Sequence, residues 1–261
     1  RPGKSVDLDA RDTADRGAFD GDKEAGLALL AQLAERLDEL QEALYAESKQ
    51  RLLVVLQAMD AGGKDGTIRT VFGRVDPLGV RVQSFGAPSD VEKAHDFLWR
   101  IHASAPARGE IAVFNRSHYE DVVVVRIHDL VPETVWRKRY DHIVAFERML
   151  HDEGTTIVKL FLHIGKDEQR KRLQERLDDP RKHWKAREGD LRERRLWSKY
   201  MRAYGDAIER TSTEEAPWYV VPADRNWYRN LMVAQILVST LEAMDLQLPG
   251  LRSDVTSRVV D

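Results

Sequence analysis

Lys64 follows a glycine pair, Gly62-Gly63, and has a carboxylate on either side, Asp60 and Asp65. The apolar run Leu52-Leu53-Val54-Val55-Leu56 leads into this turn, and a helical pattern follows it. A strand entering a glycine-rich turn that opens a helix gathers backbone N–H groups around an anion, and a lysine there adds a mobile positive charge. Ala61, Gly62, Gly63, Lys64, Asp65, Gly66 and Thr67 are therefore read as a phosphate-binding P-loop. Two positions depart from the usual pattern: Ala58 replaces its first glycine, and Asp65 replaces the hydroxyl residue that normally ligates Mg²⁺. A carboxylate beside bound phosphate needs a cation between them, so Asp60 is a candidate Mg²⁺ ligand or general base. The alternative for Asp60 is a helix cap.

A second cluster, Asn115-Arg116-Ser117-His118-Tyr119-Glu120-Asp121, follows another apolar strand pattern. Asn115 carries no charge, so Glu120 or Asp121 is the better candidate for a magnesium-directed acid. Arg116 could clamp a phosphate with two parallel hydrogen bonds. His118, like His95, His102 and His183, is treated as a structural hydrogen-bonding residue.

Net charge is only −3, but it is unevenly distributed. Residues 1–48 carry 6 Lys/Arg against 12 Asp/Glu, whereas residues 166–202 carry 14 against 8. A basic stretch on a near-neutral chain points to a local anion track. Arg172 and Arg176 share a helix face, and Pro180 ends that helix. An arginine-bearing flap over a P-loop excludes water and stabilises transferring phosphate; the alternative is a solvated, salt-bridged helix. Trp184 either stacks on a base or packs the flap. Asp224, opening the last helical pattern, reads most simply as a cap.

These residues need a frame. Strand patterns at 52–57, 80–85, 111–114, 156–164 and 218–221 alternate with helical patterns at 24–47, 67–75, 90–103, 133–152, 166–177, 190–210 and 225–245. Such alternation predicts a parallel sheet covered on both faces, with ligands at the carboxyl ends of its strands. The expected organisation is a loosely ordered arm over 1–22 and one α/β domain over 23–261, its lid at about 166–202. Absence of cysteine excludes disulfides, zinc-thiolate sites and a thiol nucleophile. No long apolar span and no secretory signal are visible, so the cytoplasm is expected, with no membrane partner. The basic segment lacks interleaved aromatics, so no nucleic-acid partner is expected either.

Five ordered motifs across residues 24–250 resemble the polyphosphate kinase 2 family. They are Asp60-Ala61-Gly62-Gly63-Lys64-Asp65-Gly66-Thr67-Ile68-Arg69, His95-Asp96-Phe97-Leu98-Trp99-Arg100 and the cluster from Asn115 to Asp121. Asp179-Pro180-Arg181-Lys182-His183-Trp184-Lys185 and Pro222-Ala223-Asp224-Arg225-Asn226-Trp227-Tyr228-Arg229-Asn230 complete them. The resemblance implies a three-layer α/β/α P-loop kinase fold, similar to thymidylate kinase, with a helical lid over a cationic channel. It also implies reversible, Mg²⁺-dependent phosphate transfer between inorganic polyphosphate and purine nucleotides; a homo-oligomer, dimer or tetramer, is expected. The Ser-His-Tyr-Glu-Asp wording resembles the subgroup that acts on both mono- and diphosphates. By this resemblance the catalytic residues are Asp60, Lys64, Arg116, Asp121 and the lid arginine Arg176, with Asp60 and Asp121 holding the metal. Residues 61–67, Asn115, Glu120, Lys182 and Lys185 would bind phosphate or nucleotide. The rival reading is an ATP-dependent nucleotide kinase of the thymidylate-kinase type. A rival of another class is a catalytically idle polyanion-binding protein.

Overall fold

The computed structural model describes residues 6–17 and 19–250. Five strands, β1 (Arg51–Gln57), β2 (Val80–Ser84), β3 (Ile111–Asn115), β4 (Thr155–His163) and β5 (Trp218–Pro222), form one parallel sheet in the order β2-β3-β1-β4-β5. Central β1 is buried from both sides, which is why it reads as a continuous apolar run without alternation. In register, Leu56 stands opposite Asn115 on one side and Leu160 on the other. The carboxyl ends of β1, β3 and β4 are thereby level, and the loops leaving them emerge together.

One face of the sheet carries α1 (Lys23–Glu47), α2 (Lys64–Val71) and α10 (Asn226–Ala243), with α1 and α2 both packed on α10. The other carries α5 (Glu120–Ile127), α6 (Glu133–Asp152) and α9 (Trp197–Thr211), packed on one another. This is the expected three-layer α/β/α architecture. Among the described residues no helix is long and apolar enough to cross a membrane.

The element boundaries differ from expectation in four places. The helical pattern over 90–103 is two short helices, α3 (Asp90–Lys93) and α4 (Trp99–His102). Asp96 breaks it by accepting a hydrogen bond from the Leu98 amide at 2.9 Å, a turn that competes with helix. The pattern over 190–210 divides at Leu196 into α8 (Glu188–Arg195) and α9. Helix α8 buries none of its residues, whereas α9 is seated by Trp197, Tyr200, Met201 and Tyr204. Helix α2 begins at Lys64, directly after the glycine turn. Finally, α5 is absent from the sequence-based assignment, because a run of four valines has poor intrinsic helix propensity and burial decides the outcome.

The described residues of the expected N-terminal arm lack regular structure before Lys23, yet they are fastened to the body. Leu8 is buried, its carbonyl 2.8 Å from His163 Nε2, and Thr13 donates to Asp224 at 2.7 Å. Residues 1–5, 18 and 251–261 of the expected arm and domain lie outside the described residues.

Candidate active site

The turn from Ala58 to Gly63 joins β1 to α2, and its shape dictates its composition. A Cβ on Gly62 would stand 2.6 Å from the Cβ of Ala58 and 2.8 Å from the Met59 carbonyl, so only glycine fits. Gly63 has φ of +103°, in the range glycine alone adopts freely. Ala61 and Arg116 also lie in the left-handed region, at φ of 59° and 65°. Each such non-glycine residue costs about 1–2 kcal/mol, a strain that surrounding structure must hold in place. For Arg116 part of that hold is its amide, which donates to the Leu56 carbonyl at 3.1 Å.

Lys64 opens α2, and its ammonium donates to the Ala58 carbonyl at 3.0 Å. Burial pulls its pKa down and Arg116 adds to this, with Asp60, Glu120 and Asp65 opposing. No side chain caps α2, whose N-cap is Gly63, so the capping role for Asp60 is ruled out. Asp60 instead pairs with Arg116 at 3.1 Å. Asp65 accepts from Asn115 Nδ2 at 2.8 Å, which ties the loop to the end of β3.

Two cavities open at this edge of the sheet. The larger, about 390 Å³, lies over the P-loop and is lined by Ala61, Gly62, Gly63, Lys64, Asp65, Gly66 and Asn115. Arg176, Trp184, Lys185, Arg187 and Asp190 line it from the lid side. The second, about 320 Å³, is lined by Glu120, Asp121, Arg100, Pro88, Val124, Val125 and Leu130, with Glu193, Tyr200 and Tyr204. Asp60, Phe85, Gly86 and Arg116 line both, and so form the wall between them.

The half-buried carboxyls of the second cavity are unusual. Burial raises the pKa of Glu120, against the pull of Arg116 and Lys64. Burial likewise raises that of Asp121, although Arg139 and Arg100 oppose it. Asp121 is bound to Arg139 at 3.2 Å and does not line the P-loop cavity. Burial also disfavours the charged form of Arg116, but Glu120 and Asp60 outweigh it and leave its pKa raised. Arg116 therefore holds its proton on the dividing wall.

The stretch expected to form a lid, residues 166–202, holds α7 (Lys166–Asp178), a 3₁₀ turn (Pro180–Lys185), α8 and the first residues of α9. Gln169 donates to the Asp60 carbonyl at 2.9 Å and Arg172 to the Ala61 carbonyl at 3.1 Å, so the base of α7 is fixed to the P-loop. Arg176 reaches the cavity, where it pairs with Asp190 at 2.8 Å.

Most of the sequence-predicted residues converge here, but several do not. Lys182 turns to Glu175 and Asp179, at 3.6 and 3.9 Å, and lines neither cavity. Thr67 is fully buried and its hydroxyl bonds Asn230 at 3.3 Å. Trp184 does not pack the flap: it is 75% exposed beside the P-loop cavity, with Lys185 Nζ 4.8 Å from its ring centroid. Asp224 caps no helix; it accepts from the Gly165 amide and the Thr13 hydroxyl, both at 2.7 Å. His118 is buried with Nε2 3.2 Å from Glu147, the structural role expected of it. Arg100, Tyr200, Tyr204 and Arg229 were not singled out. Arg100 and Arg229 stand inside the quoted motifs, so a signal existed for them; the tyrosines gave none.

Comparison with known proteins follows this geometry. Residues 20–249 match the family described as Polyphosphate kinase 2. The chain is 61% identical over 249 residues to an AMP/ADP-polyphosphate phosphotransferase of Meiothermus ruber, covering 95% of this chain and 93% of the relative. It is 46% identical over 233 residues to an ADP-polyphosphate phosphotransferase of Rhodopseudomonas palustris, covering 85% and 81%. The crystal structure of Polyphosphate Kinase 2 from Arthrobacter aurescens TC1 superposes with a TM-score of 0.95 at 48% identity, over 98% of this chain and 92% of that one.

Proposed function

The chain belongs to the polyphosphate kinase 2 family, and on that premise we propose that it transfers terminal phosphate from inorganic polyphosphate to AMP and ADP, reversibly and with Mg²⁺. The observation that carries this reading is the shared wall of Asp60 and Arg116 between two cavities of opposite character. The P-loop cavity brings five cations, Lys64, Arg116, Arg176, Lys185 and Arg187, against three carboxylates, Asp60, Asp65 and Asp190. That balance suits a polyanion. The second cavity offers apolar walls from Phe85, Pro88, Val124, Val125 and Leu130, with two arginines, Arg100 and Arg116, and four carboxylates, Asp60, Glu120, Asp121 and Glu193. That combination suits a nucleoside carrying one or two phosphates.

In this arrangement the acceptor's phosphate oxygen attacks the terminal phosphorus of the donor. The P–O bond to the penultimate phosphate breaks, and polyphosphate leaves one unit shorter. The acceptor oxygen is already anionic, so positioning and charge neutralisation carry the reaction. Arg116 faces both sides of the wall and neutralises the group in transit; Lys64 and the P-loop amides hold the donor.

Mg²⁺ usually takes one or two carboxylates, with water and substrate phosphates completing its shell. Asp60 fits that demand, being partly exposed on the shared wall with Arg116 as its one side-chain partner among the described residues. No cluster of three or more metal-ligating side chains occurs among the described residues. Asp121 is the second candidate. When bound, the ion would neutralise phosphate oxygens and fix their orientation.

The test is donor choice. Purified protein with Mg²⁺ and AMP should form ADP and ATP from polyphosphate as sole donor. Turnover only with ATP as donor would establish the nucleotide-kinase alternative instead.

A further inference from the structure

Beside the P-loop, but not lining its cavity, lies Arg229 of α10, only 2% exposed. Its guanidinium presses on the loop so closely that a Cβ on Gly63 would collide with it, lying 2.6 Å from Cζ. A Cβ on Gly66 would stand 3.5 Å from Nη2. Both glycines line the P-loop cavity on their other side. The backbone at Gly63 and Gly66 thus borders both the cavity and the buried guanidinium.

The partners of this arginine are neutral. Nη1 donates to Asn226 Oδ1 at 2.7 Å, and Nη2 and Nε donate to Asn230 Oδ1 at 2.9 and 3.2 Å. Burial pulls its pKa down to about 10, and the charge that adds to this effect is another cation, Arg172. Arg172 itself meets the loop at the Ala61 carbonyl but has Glu168 as partner at 2.8 Å. A buried charge normally has an ionic partner, because taking a lone ion out of water is costly. Among the described residues Arg229 has none.

We infer that Arg229 is a countercharge built in behind the P-loop, whose missing partner is the polyphosphate bound on the loop's far side. It acts through the backbone of residues 63–66, touches no substrate, and is a positioning residue. The competing role is a peg that fills space beneath a glycine turn. The two roles differ in sign for the empty protein. A countercharge held without its anion destabilises the ligand-free fold and returns that energy on binding; a peg stabilises the fold with or without ligand.

This inference rests on polyphosphate being the donor. Wild-type turnover with polyphosphate is therefore measured first, and its failure would remove the proposed function itself. Given that turnover, R229M and R229Q are compared with wild type for Tm, without and with inorganic polyphosphate, and for the KM of each substrate. The expected result is an unchanged or higher Tm for ligand-free R229M. Its polyphosphate-induced rise in Tm should shrink, and its polyphosphate KM should rise several-fold with the AMP KM nearly unchanged. R229K, which keeps the charge but not the shape, should retain most of the polyphosphate affinity. It also covers the case in which the neutral variants do not fold. Lower ligand-free Tm in R229M with an unaltered polyphosphate KM would overturn the inference, as would an R229K variant that loses affinity for both substrates equally.

Discussion

Asp60 and Arg116 face each other at 3.1 Å across the junction of two loops, one leaving β1 and the other β3. Because β1 and β3 are adjacent and in register, this contact follows from the sheet order. It places a carboxylate and a guanidinium on the wall between the two proposed substrate sites. The pair is partly exposed, so its own contribution to stability is small. Its importance lies in what each group faces.

Asp60→Asn should leave the fold intact and lower kcat by roughly a hundredfold or more, the scale expected when a transition-state charge is mispositioned. The Mg²⁺ concentration for half-maximal rate should rise as well. Rates titrated with Mg²⁺ would reveal this, and a curve matching wild type would move the metal to Asp121 or Glu120.

Lys64→Ala removes the P-loop cation and its contact with the Ala58 carbonyl. Turnover should fall by about two orders of magnitude or more, as for other lost transition-state donors, with an unchanged circular dichroism spectrum. Near-normal activity would take the P-loop out of the mechanism.

Asp121→Asn should act mainly on the nucleotide. Asp121 lines the second cavity, where Arg139 and Arg100 act on it. The AMP KM should therefore change while the polyphosphate KM stays close to wild type. Equal changes in both would mean that Asp121 serves the shared wall.

Glu120 gives a pH prediction with a definite sign. Burial raises its pKa above the ordinary 4.5, so the folded protein holds this proton to higher pH than the unfolded chain does. At neutral pH the ionised group therefore costs stability, and the cost is lost as pH falls through the raised pKa. Glu120→Gln should raise Tm at neutral pH, with the gain vanishing in acid. A Tm gain that grows on acidification would show that the carboxylate is stabilised in the fold.

The lid should respond to salt. Each cation that neutralises a polyanion releases condensed counterions, so affinity falls as salt rises. The polyphosphate KM should climb with ionic strength more steeply than the AMP KM, and Arg176→Gln with Lys185→Gln should flatten that slope. Parallel slopes in wild type would place the polyanion outside the P-loop cavity.

How much of this was legible beforehand depended on whether the signal was local. The P-loop was visible because a buried strand, a glycine pair and a lysine are contiguous, and each has a local cause. The strands were visible because a parallel sheet buried on both faces leaves unbroken apolar runs. Helix α5 was not, since four valines carry little helical preference and only packing of Val122, Val123 and Ile127 makes them one. Asp224 looked like a cap because it opens a helix, but tertiary contacts with Gly165 and Thr13 claim both its oxygens. Lys182 looked like part of the anion track, yet two nearby carboxylates turn it aside. Tyr200 and Tyr204 reach the second cavity only through the fold, where Tyr200 donates to Glu193 at 2.6 Å.

The most direct measurement is the initial-rate pattern with polyphosphate and AMP varied against each other at saturating Mg²⁺. Two cavities with one shared wall let both substrates bind before phosphate crosses, so the reciprocal plots should intersect, and no phosphorylated protein should form with polyphosphate alone. Parallel lines, together with a phosphoprotein that passes its phosphate to AMP, would contradict direct transfer across the Asp60–Arg116 wall.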